Sequence, residues 1–147
     1  VTFSNFFSDY LGNLEWLDVI IGGVLLFVLG WLWYGPLFGK PWAKAAGREM
    51  NSSMPNPMTI VKGFLQFFLF GLGLYLLMPA LHVTFQNASS FETLIVSAFA
   101  ISFLIAGMAL FSRHVWEGGS LTLWLIDFGF WFVGSFAYGY VVLDLLA

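Results

Sequence analysis

Four long apolar runs, residues 16–38, 60–82, 91–111 and 121–146, take up most of this 147-residue chain, and each is at least twenty-one residues long. About twenty helical residues, at ~1.5 Å rise, cross the ~30 Å hydrocarbon core of a bilayer, so each run can span it once, the last with some tilt. Transmembrane β-strands would be about half that length and would alternate in polarity, which leaves helices. The composition is 60% hydrophobic and 9% charged, against roughly 25% charged in an average soluble domain, so polar surface is too scarce to cover a soluble globule. No length remains for a separate soluble catalytic module. The expected fold is a single all-α domain over residues 1–147, an integral membrane four-helix bundle.

The polar connections set the expected orientation. Lys40, Lys44, Arg48 and Lys62 flank the first connection and Arg113 lies in the third, so all five basic residues fall on one side of a four-helix path. Lysine and arginine stay cytoplasmic, which places both termini on the non-cytoplasmic side. Asp9, Glu15, Asp18, Glu92 and Asp144 gather with the termini. Ser89 and Glu92 read as a capping box for the third helix, Ser120 as a cap for the fourth, and Asn56-Pro57 or Thr59 as the start of the second. Phe3, Phe6, Phe7, Tyr10, Leu11 and Leu14 recur at helical spacing, which predicts an interfacial amphipathic helix over residues 2–13. Its polar face lacks lysine and arginine, so docking on another subunit is as good a reading as lying on lipid.

At the basic end, "GWLWYGPLFGKPW" crowds Trp31, Trp33, Tyr34, Pro36, Lys40 and Trp42 together. Amphipathic rings favour the headgroup layer, and Gly35-Pro36 stops or kinks the first helix because proline donates no backbone hydrogen bond. Pro41 then opens a short helix able to lie on the membrane surface. The alternative is a niche for a lipid headgroup or pigment walled by the same rings.

With Gly30, Trp33, Tyr34, Gly35, Pro36, Phe38, Gly39, Lys40 and Trp42 in place, residues 16–47 resemble the start of the Domain of Unknown Function 1761 family, small bacterial membrane proteins. The resemblance implies a four-helix membrane bundle in a bacterial cytoplasmic (inner) membrane. It brings no established activity, cofactor or catalytic residue.

Polar groups inside the spans are the default functional candidates of a membrane protein. Asp127 lies six residues inside the fourth run. Gln66 reaches the same depth on the second, Lys62 precedes it by four residues, and Arg113 ends the third, so an intramembrane cluster of Asp127, Gln66, Lys62 and Arg113 is geometrically open. It reads as a register-fixing ion pair or hydrogen bond, as a proton or cation route, or as a grip on a subunit or ligand. Trp124, Asp127, Trp131 and Tyr138 follow one face of the fourth helix, suited to packing or to a lipid or pigment. Metal and catalytic sites are not expected: cysteine is absent, His82 and His114 fall on opposite sides, and Ser97 and Ser102 have no base at their depth. No cofactor is implied, and a net charge of −3 without a basic array excludes nucleic acid.

Close helix packing is well provided. Ala98, Ser102, Ala106 and Ala109 form a small-residue row on the third helix, and Gly22, Gly23, Gly30, Gly71 and Gly73 offer comparable notches. The leading expectation is therefore a non-catalytic accessory or structural subunit, in contact with membrane lipids and packed against other membrane proteins or copies of itself. The alternative is a small transporter or channel organised around Asp127.

Overall fold

The computed structural model describes residues 15–49, 56–84 and 90–145, which are mostly helical with no strand among them. Helix α1 (Trp16–Leu32) runs into a π-helical turn (Trp33–Leu37), followed by a short helix α2 (Gly39–Ala45). Helix α3 spans Pro57–Thr84. The third crossing is interrupted, with α4 (Ser90–Ile101), a π-helical segment (Ser102–Gly107) and α5 (Met108–Glu117). Helix α6 (Leu121–Gly139) ends in another π-helical segment (Tyr140–Leu145). Four stretches are long and apolar enough to cross a membrane: Trp16–Leu37, Pro57–Leu77, Phe91–Glu117 and Leu121–Val142. The chain is thus an all-helical integral membrane protein.

Element ends follow local chemistry. Asn56 Oδ1 accepts the Met58 backbone N–H at 2.9 Å, so α3 begins at the Asn56-Pro57 start, three residues ahead of the apolar run. Past Phe111 the third crossing continues to Glu117, where an Arg113–Glu117 pair of 3.3 Å at i,i+4 spacing supports the polar last turn. Gly118 then takes the left-handed conformation (φ 69°), which ends the helix and turns the chain toward α6. Ser120 occupies the N-cap position of α6, but its side chain makes no capping bond; its carbonyl accepts the Trp124 N–H at 3.2 Å. Ser89 and the amphipathic segment 2–13 lie outside the described residues.

Helices α1 and α3 share the most extensive contact, and α6 touches all the others. The core cluster of Leu26, Leu74, Leu94, Ile101, Tyr138 and Val142 sits between them. Glycines make the crossing of α1, α3 and α6 possible. The fully buried Tyr138 ring occupies the space a Gly22 β-carbon would need, and such a carbon on Gly71 would lie 3.1 Å from the same ring. At Gly23 it would sit 3.2 Å from Phe68 Cα, and at Gly30 2.8 Å from Phe67 Cζ. Gly73 departs from the expected notch, because it is exposed and nothing lies within 4 Å of an added β-carbon.

The row Ala98, Ser102, Ala106 and Ala109 also needs correcting. Ala98 and Ser102 are buried, Ala106 is half-buried and Ala109 is exposed. The π-helical segment is the reason. Met108 N–H bonds to Phe103 O, five residues back, which adds a residue to the turn and rotates the later positions out of the four-residue row. Buried Gly107 takes the inward place instead, under the Phe128 ring. The Gly107 carbonyl accepts the Trp124 Nε1–H at 2.8 Å.

Candidate functional site

The segment after α1 folds back as a strap across the start of α6. Pro36 has no N–H for the ordinary helical ladder, and the chain widens there: Phe38 N–H reaches Trp33 O, five residues back, at 2.8 Å. Phe38 leaves helical geometry at φ −120°, ψ 5°, and α2 restarts from Gly39. Helix α2 thus begins two residues before Pro41. The proline falls within the first turn, where a missing N–H costs no helical bond.

This detour turns three ring donors inward. Trp33 Nε1–H donates to Ile126 O at 3.0 Å. Tyr34 O–H and Trp42 Nε1–H both donate to Asp127 Oδ1, at 3.0 and 3.1 Å. The donors brace one another, with the Tyr34 and Trp42 rings meeting edge-on at 5.7 Å and Trp33 lying 4.6 Å from Phe38. Gly129 admits Trp33: a β-carbon there would come within 3.2 Å of Trp33 Cζ2. Arg48 lies 6.0 Å above the Trp42 ring. Trp31, by contrast, faces outward at 68% exposure, and Lys40 and Pro36 are exposed.

The headgroup reading of the aromatic stretch therefore divides. Trp31 points out of the bundle, whereas Trp33, Tyr34 and Trp42 are spent on α6. Their partnership with Asp127 was the part missed from the sequence. The available signal was a set of ring N–H and O–H donors at the same end of the bundle as an intramembrane acid, and a buried carboxylate requires donors.

The expected cluster of Asp127, Gln66, Lys62 and Arg113 is brought together only in part. Arg113 and Asp127 line one cleft of about 110 Å3, shared with His114, Glu117 and Trp124. The His114 Nδ1 contacts Gly119 O at its rim. Gln66 and Lys62 are exposed on α3. Equal depth along two helices does not fix rotation about their axes. Here the inner side of α3 is taken by Phe67, Phe68 and Gly71 against α1 and α6.

The face of α6 carrying Trp124, Asp127, Trp131 and Tyr138 is likewise divided among partners. Trp124 bonds to Gly107 and stacks on Phe128, Trp131 meets Phe70 at 4.5 Å, and Tyr138 fills the glycine notch. Deeper in the bundle, Ser102 Oγ donates to Ser135 Oγ at 3.4 Å. Among the described residues no group of three His, Cys, Asp or Glu side chains is placed to hold a metal ion.

The arrangement can hold a partly buried carboxylate with one oxygen fixed by two neutral donors, beside a small polar cleft. Pockets for drug-sized ligands measure roughly 300–1,000 Å3, so 110 Å3 admits a few waters or a small ion at most. A family described as "Protein of unknown function (DUF1761)" matches residues 17–143. No curated protein and no solved structure matches the chain.

Proposed function

This chain belongs to the DUF1761 family, and we propose that it acts there as a non-catalytic accessory or structural membrane subunit, packing against other membrane proteins. One observation carries this reading: only 11% of the most apolar eighteen-residue stretch of the second span is buried, against 28%, 35% and 39% for the other three. Helix α3 gives one side to α1 and leaves Ile60, Val61, Leu65 and Leu69 on the outside. Lipid can cover such a face, and so can a neighbouring subunit. Asp127 is meanwhile engaged by the chain's own strap. In this proposal the protein lies in a bacterial cytoplasmic membrane, with both termini outside and the strap facing the cytoplasm, following the basic residues.

A second reading rests on the cleft. Asp127 lines it together with residues of α5, α6 and the turn between them, and none of the strap; a small transporter or channel would be organised around that acid. Asp127→Asn separates the two. Asparagine keeps an acceptor for Tyr34 and Trp42 but loses the charge, so the packing role predicts a stability loss of about 1–2 kcal/mol in detergent unfolding, with altered assembly. The transport role predicts lost ion flux from an intact, normally assembled protein. Loss of neither would remove Asp127 from both accounts.

A further inference from the structure

Lys62, Gln66, Leu69 and Gly73 follow one another along α3 at steps of four, three and four residues, and all four are exposed. Those steps are the seam spacing of helices packed at about +20°. Gln66 lies nine residues along α3 and one turn past Lys62, inside the apolar span. No described residue hydrogen-bonds its carboxamide. A carboxamide in hydrocarbon has no water to satisfy it, and amide side chains hydrogen-bond across helices in membranes. Gly73, seven residues on, offers a bare patch of backbone with open space above it.

We propose that this seam joins two copies of the chain in a parallel, two-fold symmetric dimer. The proposal rests on the packing reading above and names its partner. Chemical complementarity points to a second copy. A carboxamide is both donor and acceptor, so Gln66 of one copy satisfies Gln66 of the other across a two-fold axis, as a carboxylate or an ammonium could not. The axis along the membrane normal brings equal depths together and lets Gly73 meet Gly73, where nothing obstructs close approach. Leu69, 55% exposed, fills the space between. Lys62 lies toward the basic end, where its long stem carries the ammonium to the headgroups and away from its counterpart.

The absence of native cysteine makes the test direct. Leu69→Cys should yield a disulfide-linked dimer on mild oxidation of membranes at native expression level. Leu104→Cys, 68% exposed on another helix, should not. Adding Gln66→Leu should weaken the Leu69→Cys cross-link roughly tenfold, and Gly73→Leu should abolish it. Neither lowers the monomer's melting temperature, because neither position packs inside it. Equal cross-linking at positions 69 and 104, or none at 69, overturns the dimer. Native mass spectrometry of the wild-type chain then distinguishes the two failures: recovery with different subunits sinks this seam and leaves the accessory reading standing, whereas recovery as a monomer sinks both.

Discussion

At Gly22 the Tyr138 ring lies where a β-carbon would be, and the ring is fully buried with no room to withdraw. Gly22→Ala should therefore lower stability by about 1–3 kcal/mol, as overpacked cores do, despite the better helix propensity of alanine. Gly73→Ala should be neutral or stabilising by up to ~1 kcal/mol, since an added β-carbon there meets nothing. Denaturant unfolding of the two variants in one detergent checks both signs. The two positions are indistinguishable by residue type, and only the azimuth of each helix separates them. Asp127 shows the same limit. Its need for a partner was legible from its depth, but the choice of Tyr34 and Trp42 over Gln66 and Lys62 depended on a strap whose path is set by a π-helical turn at Pro36.

Among the elements, the interrupted third crossing departs furthest from its sequence pattern. A regular helix through residues 98–109 would keep one small-residue row facing inward. The extra residue of the π-helical segment instead brings Gly107 under Phe128 and frees its carbonyl for Trp124. Nothing in the types of residues 102–107 announces this, because the compensation comes from Trp124 and Phe128 on the next helix, α6. Deleting the exposed Leu104 should restore an unbroken α-helix and turn the residues after it by about 100°. Gly107 would then leave Phe128, and Trp124 would lose its acceptor. The expected result is a lower unfolding midpoint, recovered when one alanine is inserted just before Gly107. The simpler elements were legible: apolar run length gave four crossings, and Asn56 and Gly118 mark helix ends by ordinary capping chemistry.

Over the whole molecule, the basic residues distinguish one end from the other. Lys40 and Lys44 sit on or beside the strap, Arg113 at the foot of α5 and Lys62 in the first turns of α3. If that end is cytoplasmic, a cysteine introduced at position 5 labels from outside intact cells and one at position 52 labels only after permeabilisation. The reverse pattern would invert the orientation while leaving the packing of the described helices as it is. Class and span number were readable from sequence because hydrocarbon thickness sets helix length directly. Helix neighbours were not, since each of the four crossings is apolar on most of its circumference and hydropathy alone does not choose a side.

The strap bears on how the chain is made. Its last residue, Ala45, precedes Asp127 by 82 positions. Translation at ~5–20 residues per second separates the two by about 4–16 s. Tyr34 and Trp42 are therefore already at the membrane when the final helix emerges from the insertion machinery, and the acid meets its donors as it arrives. Biogenesis thus runs from the segment that carries the ring donors to the helix that carries the carboxylate, and no stage requires Asp127 to wait in the bilayer alone.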